Sequence, residues 1–249
     1  MLVLKLEGKT VVVTGGNSGI GLAIAKRFAE EGAYVFITGR RQAQLDEAVS
    51  LIGKAAGGRV EAVQGDVTQA DDLDRLFDIV KAKAGKLDIL VTSSGTGEYA
   101  TLESTTEEHF DKLFDLNVRG MVFTVQRAVK LMSSGSSMVL VGSIAGSRGM
   151  GGYGTYSATK AAVRSYARTW TSELSERGIR VNTLSPGPVD TPIFDGVGDD
   201  IKQWLIKQIP LSRMGKPDEI ANAALFLASA DSSFVAGAEL CIDGGMTQV

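Results

Sequence analysis

Tyr156 and Lys160, in YGTYSATK at 153 to 160, are the residues of this chain whose types and spacing could move a proton. On a helix, positions four apart lie on one face, one above the other, so phenol and ammonium would be neighbours. Tyr153 stands outside that arrangement, two turns before the lysine, and the flanking Gly152 and Gly154 suggest a helix that has not yet begun. A phenol of pKa about 10 is a poor proton carrier at neutral pH. An ammonium roughly 5 Å away, at an effective dielectric near 20, favours the phenolate by about 3 kcal/mol, which brings a tyrosine towards working range. The same spacing also occurs as an ordinary exposed neighbour pair on any helix, so the pentapeptide alone leaves both readings open.

A second constellation opens the chain. TGGNSGIG, residues 14 to 21, follows an apolar β-branched run and begins an amphipathic segment. Its residues Gly15, Asn17, Ser18, Gly19, Ile20 and Gly21 stand where backbone amides can approach a phosphate at the positive end of a helix, as a dinucleotide's pyrophosphate requires. The glycine spacing differs from G-x-G-x-x-G, and a glycine cluster in a turn is a weak signal without its strand and helix. About 20 residues on, a dinucleotide fold places an acid for the ribose hydroxyls. Here the stretch is ITGRR: Gly39 occupies that place and Arg40 and Arg41 follow, so a 2′-phosphate would meet positive charge without repulsion. NADP(H) is therefore expected over NAD(H); two solvated arginines after a strand are the alternative.

Short apolar runs supply the elements that must hold these residues. TVVVT (10 to 14), AYVFIT (33 to 38), RVEAVQ (59 to 64), LDILVT (87 to 92), SMVLVG (137 to 142), IRVNTLS (179 to 185) and AELCI (238 to 242) make about seven strands. Several are apolar on consecutive positions, as parallel strands covered on both faces are. Helical patterns alternate with them, among them GLAIAKRFAEEG, ADDLDRLFDIVKAKAG and PDEIANAALFLAS. The expectation is an α/β, Rossmann-type doubly wound sheet with helices on both faces. A length of 249 residues with 44% hydrophobic content suits one domain spanning 1 to 249.

Composition narrows the partners. A net charge of −3, with no basic run longer than Arg40 and Arg41, argues against a nucleic-acid surface. The single cysteine, Cys241, rules out an internal disulfide framework and suits a reducing compartment. His109 is the only histidine, which excludes His-rich metal sites; it is expected on a helix surface. The amino terminus breaks its apolar residues with Lys5 and Glu7, and no run reaches membrane-spanning length, so a cytoplasmic protein is expected, without metal or membrane partner.

Taken together, TGGNSGIG, Asn117 in LNVRG, Ser143 in VGSIAG, Tyr156 and Lys160 in YSATK, and SPGPVDTP at 185 to 192 resemble the short-chain dehydrogenase/reductase family over essentially the whole chain. The closing segment from Arg213 to Gly245 is similar to that family's as well. The resemblance implies that Tyr156 is the general acid in reduction and base in oxidation, and that Lys160 lowers its pKa and bonds the nicotinamide ribose. It implies that Ser143 binds the substrate carbonyl oxygen with Tyr156, and that Asn117 holds a water relaying protons through Lys160. It also implies that Asp66 and Val67 contact adenine, that Gly95 runs beside the ribose, and that Pro186, Gly187, Val189 and Thr191 hold the nicotinamide end. For Asp66 a simple turn-capping role competes. One departure stands out: the family's usual Asn-Asn-Ala-Gly after the fourth strand reads Thr92, Ser93, Ser94, Gly95, and hydroxyls offer fewer donors than amides.

Residues from about 190 to 215 are the expected substrate lid, with DDIKQWLIKQIP as a short helix carrying Ile201, Trp204, Leu205 and Ile209 on one apolar side. A small carbonyl or alcohol substrate is expected, unidentified because no phosphate-binding pair or carboxylate clamp stands out. The helix after Tyr156 is rich in small residues, among them Ala158, Ala161, Ala162, Ser165 and Thr169, which permits close packing; the resemblance implies a homotetramer, with a homodimer as the alternative. An NADP(H)-dependent carbonyl reductase or alcohol dehydrogenase is the first reading, an NAD-linked dehydrogenase the second, and a nucleotide-sensing protein without turnover the third.

Overall fold

In the computed structural model, which describes residues 4–56 and 59–249, seven strands form one parallel sheet. The order along the chain is β1 (Thr10–Thr14), α1 (Gly19–Glu30), β2 (Tyr34–Gly39), α2 (Gln42–Ala56), β3 (Arg59–Gln64), α3 (Ala70–Ala84) and β4 (Ile89–Thr92). There follow α4 (Glu107–Phe114), a π-helical turn (Asp115–Arg119), α5 (Gly120–Ala128), β5 (Ser137–Val141), α6 (Gly154–Leu174), β6 (Arg180–Pro186), α7 (Asp199–Lys207), α8 (Pro217–Ala228) and β7 (Glu239–Ile242).

The sheet runs β3-β2-β1-β4-β5-β6-β7. From β1 the chain winds outward to β3, then crosses back to β4 and winds the other way. Strand order therefore reverses between β1 and β4, and the loops leaving them diverge to open a crevice at their carboxyl ends, where such sheets bind ligands. The consecutive apolar runs now have their reason. Along β1, Val11 and Val13 pack with α1, α2 and α8 on one face, whereas Val12 packs with α3, α5 and α6 on the other. β5 repeats this: Val139 and Val141 face the first layer, Met138 and Leu140 the second. With a side-chain period of two and helices on both sides, consecutive positions along the middle of these strands are apolar.

All seven expected strands form, each within a residue or two of its expected bounds. Two expectations on helices need correction. His109 does not stand out on a surface: α4 is there, capped by Thr106 Oγ1 accepting from the His109 N–H (3.1 Å), but the imidazole is half-buried. The apolar side expected on α7 also divides, with Ile201 and Trp204 exposed while Ile209, just beyond the helix, is buried. The helix leans on the body by one end only. It rides on an excursion whose two ends are stitched together where it leaves and rejoins the body: the Asp190 N–H donates to the Gly215 carbonyl and the Gly215 N–H to that of Pro188, both at 2.9 Å. Among the described residues no helix is long and apolar enough to cross a membrane.

Candidate active site

The candidate catalytic and cofactor residues lie at or beyond the carboxyl ends of the strands, or on α1, the π turn or α6. The glycine loop leaves β1 and enters α1 at Gly19. A Cβ at Gly21 would stand 2.3 Å from the Gly15 carbonyl oxygen, and Gly15 itself takes φ +67° against the backbone of Ser94, so the turn closes only because both are glycine. No side chain caps α1: Ser18 stands at the N-cap without a bond into the first turn, which leaves that end's amides for an anion. The cradle and free helix end fit the pyrophosphate of a dinucleotide.

Lys160 and Tyr156 sit on the first two turns of α6 and point to the same place. The Lys160 Nζ lies 5.8 Å from the Tyr156 ring centroid and donates to the Val141 carbonyl at the end of β5 (3.0 Å). Ser143 follows β5 and caps a 3₁₀ turn (Ile144–Gly146), its Oγ accepting from the Ala145 N–H (3.2 Å). Burial raises the Tyr156 phenol above its ordinary value; the adjacent Ser143 hydroxyl pulls it down and Tyr153 pushes it further up. That net direction is opposite to the one expected from the Tyr–Lys spacing, because the phenol's own burial outweighs what lowers it. Burial acts on the neighbouring amine as well, lowering Lys160 from its ordinary value to about 8. The site thus holds a protonated phenol beside an amine that titrates near neutrality.

Asn117 enters through the π turn. The turn lets α4 run on into α5 while holding the buried Asn117 against the loop after β4. The carboxamide accepts from the Thr96 N–H (2.9 Å) and donates to the Thr96 carbonyl (2.8 Å) and to Thr159 Oγ1 (3.0 Å). Thr159 in turn donates to the Tyr156 carbonyl (2.7 Å). Gly95 is wedged between, since a Cβ there would stand 3.1 Å from Asn117 Oδ1 and 3.4 Å from Lys160 Nζ.

At the far end, Gly39 packs against the Asn17 side chain, which any larger residue there would displace. A Cβ at position 39 would lie 2.5 Å from Asn17 Oδ1, and Asn17 is anchored by donating to Gln44 Oε1 (2.8 Å). Arg40 and Arg41 are exposed; the Arg40 guanidinium leans 4.0 Å from Asp66. Asp66 performs the turn-capping role weighed against adenine contact, accepting from the Thr68 N–H and hydroxyl (2.9 Å each). Val67 turns inward, its methyl 2.9 Å from where a Cβ on Gly120 would be. At the opposite wall β6 ends in Pro186, the Gly187 N–H donates to the Ile242 carbonyl (3.0 Å), Val189 is buried, and Thr191 reaches the glycine loop, 3.6 Å from a Cβ built on Gly19.

Three features escaped sequence reasoning. The Thr14 hydroxyl, at the end of β1, accepts from the Ser93 and Ser94 N–H groups (3.1 and 3.2 Å), so the serine-rich departure after β4 is held through its backbone. Thr159 ties the Tyr156 carbonyl, three residues before it, to Asn117, 42 residues before it. Tyr99 and Tyr153 meet in an edge-to-face pair. Thr14, Thr159 and Tyr153 lie within the quoted TGGNSGIG and YGTYSATK stretches, but nothing in the residues points to their partners.

Residues 15–247 match the family model described as enoyl-(acyl carrier protein) reductase. An oxidoreductase asL5 of Sarocladium schorii is 45% identical over 99% of both chains, and the 3-oxoacyl-[acyl-carrier-protein] reductase FabG of Thermotoga maritima is 37% identical over 98% of this chain and 99% of that one. A short-chain dehydrogenase/reductase from Serratia marcescens superposes with a TM-score of 0.94 at 33% identity, covering 98% of this chain and 99% of that one. The chain belongs to the short-chain dehydrogenase/reductase family. A dehydrogenase/reductase from Sinorhizobium meliloti agrees equally well, with a TM-score of 0.94 and 36% identity over 98% and 97% of the two chains. As a short-chain dehydrogenase/reductase it is an oxidoreductase acting between an alcohol and a carbonyl with a nicotinamide dinucleotide.

Proposed function

We propose that this enzyme is an NADP(H)-dependent reductase of a small carbonyl compound, interconverting it with a secondary alcohol, with Tyr156 as proton donor. The observation that carries the reading is the convergence of Ser143, Tyr156, Lys160 and Asn117 beside the crevice between β1 and β4. A bound nicotinamide supplies or accepts the hydride. The chain's own residues do the rest. Ser143 and Tyr156 bind the carbonyl oxygen, and Tyr156 gives it a proton as negative charge develops. Lys160 restores that proton, and Asn117 keeps the loop carrying Gly95 and Thr96 in place beside it. Burial keeps the phenol protonated, the form from which reduction starts. NADPH oxidation followed at 340 nm across a panel of ketones and aldehydes tests the reading; tight NADPH binding with no substrate reduced would favour a sensor without turnover.

The preference for NADP(H) rests on Gly39, which places no carboxylate at the end of β2, and on the two exposed arginines that follow it. Arg40→Ala with Arg41→Ala is expected to weaken NADPH about 10- to 100-fold while NADH changes less than about threefold, since only NADPH carries the phosphate a bidentate guanidinium clasps. Fluorescence titration with both cofactors checks it, and an unchanged NADPH-to-NADH ratio refutes it. We propose further that the excursion from Val189 to Gly215 closes over the substrate as one lid on a single 1–249 domain, and that the enzyme assembles as a homotetramer or homodimer in the cytoplasm. Support comes from the stitched neck of the excursion and from Phe110 and Phe123, which stand exposed on α4 and α5.

A further inference from the structure

Two loops that leave adjacent strands meet beside Tyr156. The loop after β4 lays Gly97 against the Tyr156 ring, where a Cβ would stand 3.2 to 3.4 Å from ring carbons. Three residues on, it pairs with the loop after β5: the Ala100 N–H donates to the Gly152 carbonyl (2.8 Å), and Ala100 and Tyr153 form a parallel bridge. Between those points Tyr99 lays its ring on the backbone of Gly152. A Cβ at Gly152 would fall 2.1 Å from a ring carbon, and φ there is +77°, so a glycine is what allows the ring to lie so close. Tyr99 then meets Tyr153 edge to face, with centroids 5.8 Å apart at 83°, and Tyr153 meets Tyr156 at 6.4 Å and 72°. Three aromatic rings therefore run in sequence from the proton donor out to solvent, where Tyr99 is 67% exposed.

Buried aromatics complete a core; an exposed ring fixed on one side by backbone and on its edge by a second ring presents its remaining surface to whatever enters. We propose that Tyr99 and Tyr153 form an aromatic wall that selects carbonyl compounds bearing a flat aryl or conjugated substituent, with Tyr99 as the specificity-determining residue. This rests on the carbonyl reading above. A carbonyl oxygen held by Ser143 and Tyr156 leaves its substituents directed away from that pair, and the side towards Tyr153 and Tyr99 offers ring edges and faces. A planar π system gains edge-to-face or offset contacts there that a puckered saturated ring of equal size does not.

The test compares 4-fluoroacetophenone with cyclohexyl methyl ketone, first for binding and then for reduction. Dissociation constants come from ligand-observed NMR on the NADP⁺-loaded enzyme, which cannot reduce either ketone. Wild type is expected to hold the aryl ketone about three- to tenfold more tightly. Tyr99→Phe, which keeps the ring, preserves that ratio, and Tyr99→Leu, which keeps apolar bulk only, brings it to within about twofold of unity. A wild-type ratio near one, or a ratio that Tyr99→Leu leaves unchanged, overturns the proposal. Reduction with NADPH then separates the two readings: a wild type that shows the binding preference but reduces neither ketone removes the carbonyl reading and leaves the aromatic wall standing.

Discussion

Tyr156→Phe is expected to lower kcat by about 10³-fold or more while NADPH affinity stays within about threefold of wild type. The ring remains to fill its place between Gly97 and Tyr153, so packing is kept. What goes is the one hydroxyl beside Ser143 able to give up a proton. The loss falls on the chemical step, so single-turnover kinetics with enzyme in excess should show it as fully as steady-state rates do. Retention of more than about a tenth of wild-type kcat would mean another donor protonates the product oxygen.

Lys160→Met is expected to do two opposite things. Activity should fall by about 10² to 10⁴, because the amine that returns protons to Tyr156 is gone. Stability in dinucleotide-free buffer should rise. The folded protein must keep at position 160 an ammonium that the unfolded chain keeps in water, and the cost appears as a drop from the ordinary 10.5 to about 8. Below about pH 8 both states carry the proton and the penalty is present in full, roughly 3 kcal/mol. Between about 8 and 10.5 the folded amine is neutral while the unfolded one is still charged, so wild-type stability climbs with pH across that window. Methionine removes the penalty and also the bond to the Val141 carbonyl, leaving a net gain of about 1 to 2 kcal/mol at pH 7. Urea unfolding of both proteins at pH 7 and pH 10 checks this: wild type regains roughly 2 to 3 kcal/mol by the higher pH, so the advantage of methionine should vanish or reverse there, and an unchanged gap would contradict it. The same titration predicts that wild-type reduction slows as pH rises through about 8.

A stabilising substitution at the site that ruins activity expresses a general trade. The buried amine is kept for chemistry and the fold carries the strain of it. Phe28, Val35, Leu90 and Val139 bear that load, buried on the two faces of the sheet where burial of each apolar side chain contributes about 1.5 to 3 kcal/mol.

Much of this was legible in the residues alone. Seven apolar runs separated by helical patterns determine a parallel sheet covered on both sides, because a strand with no polar face has no solvent face, and a parallel return needs a crossover. TGGNSGIG placed its glycines between a strand and a helix, and YSATK put a phenol and an amine on one helical face, because both patterns depend on neighbours within a turn or two. What lies across the fold did not follow. The Thr14 hydroxyl holding the backbone of Ser93 and Ser94, the Asn17 side chain packed against Gly39, and Tyr99 lying on Gly152 join residues between 22 and 80 positions apart. Only the register of one strand against the next brings such groups together. Burial, likewise, is a property of the whole packed chain, and it reversed the direction in which Tyr156 shifts: spacing alone determined that the amine stands beside the phenol, while the tertiary structure decided that the amine would be buried and the phenol partly so.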